Sequence, residues 1–244
     1  MTSEKELELL KRIALLEKRL NAEEKNRVPS FTFSKITFDD LDSLVDIKQN
    51  LEVNIFKSWL NNDLNLTEDT TRFLAQLIQK ESRYISVYNE EDLKINLIAP
   101  ILSRIDFKIT EYIRAFYDEK LTYETDEFIL TGLCDFYVSK GLRKAEQPYF
   151  FIQEFKKGLH YSNPQPQLLA ELISAVELNG FTTMKGAYIV GAIWNFVILE
   201  KQDKNQYQYF VSENFDSTKI NDLKAIYKNL LFVKTEIIKM AETN

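Results

Sequence analysis

Residues 119 to 215 contain several short segments rich in aromatic and β-branched side chains, interrupted by one helical pattern. Such segments, bounded by turn residues, are typical of β-strands. The strand candidates are LTYETDEFIL, TGLCDFYVSK and PYFFIQEFKK, followed after the helical pattern QPQLLAELISAVELNG by KGAYIVGAIWNFVILE and QYQYFVSENF. Another helical pattern precedes the strands, and a long one follows from about Thr218. This order of helix, three strands, helix, two strands and helix predicts an α/β fold, a mixed sheet flanked by helices.

The composition limits the kinds of site that the chain can build. Its 244 residues, 45% of them hydrophobic, suffice for one sizeable core. No run of eighteen apolar residues occurs and the N-terminus is charged throughout, so we expect a soluble, cytoplasmic protein without a membrane segment. One cysteine, Cys134, and one histidine, His160, cannot form a Cys/His zinc site. Any bound metal must therefore be held mainly by carboxylate oxygens.

The chain divides by pattern into an N-terminal helix at 1–28, a mainly helical region at 29–85 and a larger region at 86–244. The apolar residues of the N-terminal helix alternate at spacings of four and three, as in a coiled coil. They are Leu9, Ile13, Leu16 and Leu20. A seam of about two heptads also fits a helix packed on its own domain, so both interpretations stay open. We expect the seam to be buried, with a homodimer as the preferred partner and another subunit as the alternative.

Two acids lie inside the strand candidates, where a carboxylate is costly unless a cation or hydrogen-bond donors meet it. They are Asp135 in TGLCDFYVSK and Glu154 in PYFFIQEFKK. Successive side chains of a strand alternate between faces, so Glu154 and Lys156 share one side and Phe155 takes the other. Two carboxylates and one ammonium group can therefore converge.

This convergence suits the hydrolysis of a phosphodiester. Asp135 and Glu154 can hold a hard cation such as Mg²⁺, for which Mn²⁺ can substitute, to polarise the phosphate and lower the pKa of a water. Lys156 can stabilise the charge that develops on the phosphate or orient the attacking water. The net charge of −6 argues against a protein that coats nucleic acid, although it leaves room for a local basic cleft.

The same residues resemble the PD-(D/E)XK nuclease superfamily over about residues 85 to 215. Asp135 in TGLCDFYVSK, followed after eighteen intervening residues by Glu-Phe-Lys, is similar to the family pattern, with Asp135 on the second core strand and Glu154 and Lys156 on the third. Gly132 and Asp135 also match a Gly-x-x-Asp form, although Cys134 stands where the family name has proline. The resemblance implies a restriction-endonuclease-like core of order α-β-β-β-α-β-β.

Neighbouring elements add candidates that the resemblance implies. The helix of NEEDLKINLIAPIL is similar to one that carries a metal-binding glutamate in Type I restriction subunits, which favours Glu90 over Glu91 because Glu90 shares a face with apolar residues. RecB-like members carry a glutamine near the start of the next helix, where Gln167 stands, with Gln165 as its rival. The backbone carbonyl of Phe155 is a further implied metal ligand.

The expected activity is therefore that of a Mg²⁺-dependent DNA nuclease, an endonuclease by preference, which is either a restriction or defence enzyme or a stand-alone relative. The alternative is an inactive module with the same fold that binds a partner through its N-terminal helix. Two weaker hypotheses concern charged loops, where each residue is either a phosphate contact or a solvated side chain. They concern His160 on one loop and a basic rim of Lys140, Arg143 and Lys144 with Lys156 and Lys157.

Overall fold

The structure is a computed structural model that describes residues 28–157 and 163–243, together with five positions of an N-terminal helix. Those five positions are Glu6, Glu8, Leu9, Arg12 and Ile13. The strands are β1 (Ser30–Thr32), β2 (Asp46–Gln49), β3 (Ile113–Glu124), β4 (Ile129–Lys140), β5 (Glu146–Lys156), β6 (Thr183–Val190), β7 (Ile193–Asp203), β8 (Gln206–Val211) and β9 (Phe215–Asp216). The helices are α1 (Phe38–Leu44), α2 (Lys57–Leu60), α3 (Glu68–Glu81), α4 (Glu90–Leu93), α5 (Ala99–Ile105), α6 (Pro164–Asn179) and α7 (Ile220–Thr243).

All nine strands belong to one mixed sheet, which confirms the predicted α/β class. Its main path runs β1-β4-β5-β6-β7-β8-β2, with β3 also paired to β4 and β9 to β7. The β3–β4–β5 and β6–β7–β8 groups are antiparallel, and β5 and β6 between them are parallel. A parallel pair needs a long crossover connection, and α6 provides it. The carboxyl end of β5 therefore lies beside the region where α6 begins.

Two of the predicted strand segments span turns. LTYETDEFIL contains the end of β3 and the start of β4, because Thr125 accepts the Phe128 N–H through its hydroxyl and closes the turn between them. KGAYIVGAIWNFVILE contains β6 and β7, joined at Gly191, whose φ of +58° is in the left-handed region that favours glycine. The strands after α6 are therefore β6, β7 and β8 with the short β9, and the core has more strands than predicted.

The region at 29–85 contributes to the same sheet and core as the rest of the chain. β1 pairs in parallel with β4, and β2 pairs in parallel with β8. Trp59 is fully buried and donates its indole N–H to the backbone carbonyl of Asn229 in α7. The division at residue 85 therefore follows the change of sequence pattern and coincides with no gap in packing.

One apolar cluster fills each face of the sheet. The first contains Phe136, Phe155 and Trp194 and packs against α5 and α7. The second contains Tyr137 and Ile152 and packs against α6. Among the described helices, none is long and apolar enough to span a bilayer.

The helix that precedes the sheet begins at a capped turn. Asn89 accepts the backbone N–H of Asp92, and Asp92 accepts that of Asn89, which forms a capping box before α4. Between α4 and α5, residues Lys94–Ile98 form a π-helical turn, and Pro100 lies in the first turn of α5. The widened turn accommodates the proline, which cannot donate a backbone hydrogen bond. The irregularity of this helix near Pro100 thus takes the form of a π-helical turn that starts at Lys94.

Candidate active site

Three carboxylates lie on one rung across neighbouring strands. Tyr117 pairs with Phe136 and Phe136 pairs with Gln153, so the next residues along these strands are Asp118 on β3, Asp135 on β4 and Glu154 on β5. None of these three residues is itself paired with its neighbour across the rung. Like charges that face each other across strands destabilise a sheet, so this rung needs positive charge nearby.

The side chain of Asp135 interrupts the backbone pairing between β4 and β5. The β4–β5 ladder ends at Phe136 and Gln153, and the Asp135 carboxylate then takes the place of a backbone acceptor. Its Oδ2 accepts the backbone N–H of Phe155 at 2.8 Å. Phe155 therefore enters the site through its N–H, and a metal-binding role for its carbonyl stays a prediction.

Glu154 and Lys156 lie on one side of β5, as predicted, and form an ion pair through Oε1 of the glutamate. The side chain of Glu154 is completely buried, and its Oε2 has no hydrogen-bond partner within residues 28–157 and 163–243. Burial, followed by the charge of Asp135, raises the pKa of Glu154 well above its ordinary value, and Lys156 offsets this only in part. Asp135 and Glu154 stand on adjacent strands, each one residue beyond the Phe136–Gln153 pair, so they occupy neighbouring positions. Their convergence on one metal ion stays a prediction.

A second lysine, Lys94, reaches the rung from the π-helical turn. Its Nζ donates to Oδ1 of Asp135 at 2.7 Å. Burial lowers the pKa of Lys94, but the hydrogen bond and charge of Asp135 outweigh it, so the pKa lies above that of an ordinary lysine. Two further carboxylate oxygens stand 3.8 Å from the same nitrogen, one on Glu90 and one on Asp118. Lys94 is thus the centre of a group of three acids.

Glu90 and Gln167 occupy different parts of the site. Glu90 reaches it through Lys94, and its side chain is about two-fifths exposed, whereas Glu91 is exposed to solvent. Gln167 is buried in α6 and donates from Nε2 to Oε1 of Glu171 at 3.1 Å, while Gln165 is only partly buried. The hydrogen-bond partner of Gln167 is therefore another acid of α6, Glu171.

Glu171 is a second buried acid at this site. It is fully buried on α6, and its Oε2 has no hydrogen-bond partner in the described part of the chain. Burial, followed by the charge of Glu154, raises the pKa of Glu171 well above its ordinary value. Glu154 thus has two acids near it, Asp135 and Glu171. The described lysines at the site form ion pairs with Asp135 and Glu154 but not with Glu171.

The donor set fits a hard divalent cation. Oxygen ligands are what Mg²⁺ and Mn²⁺ prefer, and the unpartnered Oε2 of Glu154 is available for one. Within residues 28–157 and 163–243, no three acid, histidine or cysteine groups are close enough to hold a metal ion as they stand. Lysine ammonium groups contact these acids in the structure, with Lys94 paired to Asp135 and Lys156 paired to Glu154.

The predicted basic rim is not next to this site. Lys140, Arg143 and Lys144 lie at the turn between β4 and β5, which is the opposite end of the hairpin from Glu154. Lys140 is the fifth residue after Asp135 on β4, which places it about 17 Å away at about 3.4 Å per residue. Lys140, Arg143 and Lys144 are therefore too far from Lys156 to form one basic rim with it. His160 lies outside the described residues.

The structure adds three residues to the predicted set, and each had a different signal in the sequence. Lys94 lies one turn after Glu90, a spacing that places two helical side chains on one face. Glu171 is a charged residue inside the apolar run LLAELISAV, one turn after Gln167. Asp118 had no such signal, because its position depends on the β3–β4 register and on its left-handed backbone, with φ of +47°.

Comparison with known proteins leaves the site to be interpreted from its own residues. No protein-family model matches the chain, and no curated protein matches it significantly.

Proposed function

We propose that the chain is a metal-dependent phosphodiesterase that cleaves DNA, with Asp135, Glu154 and Lys156 as its active-site residues. The observation that carries this proposal is the completely buried carboxylate of Glu154, whose Oε2 has no partner among the described residues and which stands next to Asp135 across the β4–β5 pair. Burying such a pair costs free energy that a purely structural element has no reason to expend. A site for a hard cation supplies the reason, because clustered and partly desolvated carboxylates are what such a cation requires.

Each residue has a part that follows from its contacts. When bound, a divalent cation would supply Lewis-acid activation of the phosphate and of the attacking water. Asp135 and Glu154 would hold it, and the Phe155 N–H fixes the Asp135 carboxylate in place. Lys156, once released from Glu154, carries the positive charge that can meet the developing charge on the phosphate. Glu90 lies at the outer edge of the same group and is a further candidate ligand.

The arrangement of elements supports a restriction-endonuclease-like core as part of the proposal. A helix leads into three antiparallel strands, a crossover helix follows, and β6 then joins β5 in parallel. Asp135 lies on the second of the three strands, and Glu154 and Lys156 lie on the third. This is the order that the resemblance to the PD-(D/E)XK superfamily implies, and it is compatible with a role in restriction or defence.

The activity can be tested by incubating the full chain with plasmid, single-stranded DNA and RNA in Mg²⁺, Mn²⁺ or EDTA. We expect DNA to be cleaved only when a divalent cation is present. Asp135→Asn and Glu154→Gln should each lower the rate by about 10²-fold or more and weaken Mn²⁺ binding. Lys156→Met should lower the rate to a similar degree while Mn²⁺ still binds, because its charge acts on the phosphate.

A matched control for Lys156 is Lys48→Met. Lys48 forms an ion pair with Asp46 two residues earlier on the edge strand β2, the same spacing as that of Glu154 and Lys156. This control should leave the cleavage rate unchanged. Cleavage in EDTA, or undiminished cleavage by Asp135→Asn, would contradict the proposal. Cleavage of RNA alone would change the substrate and retain the mechanism.

The second candidate is an inactive module of the same fold that binds a partner. The observation that favours it is the N-terminal helix, where Leu9 is 59% and Ile13 is 47% exposed. Thermal unfolding with and without Mn²⁺ separates the two candidates, since a ligand that binds the folded state raises Tm by mass action. An unchanged Tm at millimolar Mn²⁺, together with no cleavage, would favour the binding module.

A further inference from the structure

The ammonium group of Lys94 lies where a bound cation would meet the greatest number of acids. One oxygen each of Asp135, Glu90 and Asp118 lies within 4 Å of its Nζ, at 2.7, 3.8 and 3.8 Å. These acids come from three separate elements, namely β4, α4 and β3. A single positive charge therefore serves three negative ones, a group that is better matched by a divalent ion.

The neighbourhood of Lys94 contains more negative charge than its lysines neutralise. Glu154, beside Asp135, is buried and retains an oxygen with no partner. The only cation paired with Glu154 among the described residues is Lys156. This neighbourhood thus contains four carboxylates and two ammonium groups, those of Glu90, Asp118, Asp135, Glu154, Lys94 and Lys156. Their summed charge is −2 when all six groups are ionised.

We propose that Lys94 is an internal substitute for a divalent cation, and that a cation binds between Asp118 and Asp135 only when the Lys94 side chain moves out. This inference rests on the proposed metal-dependent function and deepens it, because it assigns Asp118 as an additional ligand. Glu90 and Asp118 stand 3.8 Å from the ammonium nitrogen, whereas Mg²⁺ and Mn²⁺ take oxygens at about 2.0 to 2.2 Å. Both side chains are substantially exposed and free to close this difference once the ammonium leaves.

The movement that the proposal requires is available to Lys94. Its side chain is 20% exposed, and Lys94 is the first residue of the π-helical turn. A lysine has four rotatable side-chain bonds, so its ammonium can exchange a carboxylate for water without a change in the backbone. In the metal-free protein the ammonium group pairs with Asp135, and in the protein with a cation the ammonium group is free at the edge of the site.

The first test measures Mn²⁺ affinity of the full chain by calorimetry for the wild type, Lys94→Met and Asp118→Asn. We expect Lys94→Met to bind Mn²⁺ at least about tenfold more tightly, because the competing charge is gone. Asp118→Asn should bind it at least severalfold more weakly. Lys185→Met is the matched control, since Lys185 is equally exposed and also ion-paired, to Glu236, on the face that packs against α7. It should bind Mn²⁺ as the wild type does.

The second test uses the wild type and does not depend on the folding of a variant. Acetylation by a lysine-reactive reagent, followed by peptide mass spectrometry, reports the accessibility of each ammonium group. We expect labelling of Lys94 to rise with Mn²⁺ and to saturate with the binding curve, while labelling of Lys185 stays constant.

The outcomes separate this inference from the proposed function. If the wild type binds Mn²⁺ but Lys94→Met binds no more tightly, or Lys94 labelling does not rise, Lys94 is not a cation substitute and the proposed function stands. If neither protein binds Mn²⁺, both are overturned. If only Lys94→Met binds, the inference stands, and the proposed metal dependence of the wild type is overturned.

Discussion

At the scale of single residues, the site is distinguished by buried carboxylates that lack hydrogen-bond partners among the described residues. Glu154 and Glu171 are both buried and each has an unpartnered Oε2. A protein whose only requirement was stability would place amides or apolar groups at these positions. The charges of Asp135, Glu154 and Lys156 act on Glu171, and Cys134 lies beside it. The stability of the metal-free protein should therefore depend on pH through these groups.

The pH dependence can be tested with Glu171→Gln. Because burial raises the pKa of Glu171 in the folded state, the folded protein binds this proton more tightly than the unfolded chain does. The free energy of unfolding then falls as pH rises from the ordinary glutamate value, about 4.3, through the raised value. Glu171→Gln should match the wild type near pH 5 and exceed it near pH 8, by about 1 kcal/mol or a few degrees in Tm.

Denaturant unfolding in EDTA at both pH values measures this difference. Glu177→Gln is the comparison on the same helix, because Glu177 accepts hydrogen bonds from Lys201 and from the Tyr207 hydroxyl. That variant should be less stable than the wild type at both pH values. A Glu171→Gln protein that loses stability at pH 8 would show that the carboxylate of Glu171 is satisfied in solution.

At the scale of elements, the site depends on how closely α6 approaches the sheet. Gly186 on β6 faces α6, and a Cβ at that position would lie 2.9 Å from the backbone oxygen of Ile152 on β5. It would also lie 3.1 Å from Leu172 and 3.2 Å from Leu168, both on α6. The absence of a side chain therefore allows α6 to bring Glu171 towards Glu154.

Gly186→Ala should destabilise the protein by about 1 to 3 kcal/mol, because the new methyl group meets backbone and cannot be accommodated by a side-chain rotation alone. Thermal unfolding should show a Tm several degrees lower than that of the wild type. An unchanged or higher Tm would mean that β5 and α6 move apart without cost, and that the close approach is not required.

At the scale of the whole molecule, the N-terminal helix is the element whose partner is undecided. The seam was expected to be buried, but Leu9 and Ile13 are exposed within the single chain. Leu16 and Leu20 lie outside the described residues. The exposure of the first two residues is consistent with a partner from another chain, and a coiled-coil homodimer remains the preferred hypothesis.

Light scattering on the full chain tests this hypothesis. We expect a dimeric mass for the wild type and a monomeric mass for the double variant Leu9→Glu with Ile13→Glu, because charges on the seam oppose association. Leu51→Glu with Val53→Glu is the matched control, since both residues are exposed and adding two acids there changes the net charge equally. A monomeric wild type would leave the helix without a role in self-association.

Local patterns in the sequence were enough to predict the features that depend on neighbouring residues. Thr67 and Asn89 each cap a helix through atoms only three residues apart, so residue type and spacing are sufficient to recognise these caps. Glu154 and Lys156 share a side because side chains in a strand alternate with a period of two. The α/β class follows from the order of the same periodic segments, although the turns at Thr125 and Gly191 divide two of them.

Only the tertiary structure decided which distant residues join this set. Lys94 reaches Asp135 across 41 residues of sequence, and Asp118 meets the same rung through the register of β3 on β4. Register and helix placement are set by packing over the whole core, as at Gly186, and no local pattern encodes them. The sequence by itself therefore determined the acids and the lysine of β4 and β5, whereas the packing of α6 and the π-helical turn on the sheet determined the charges that surround them.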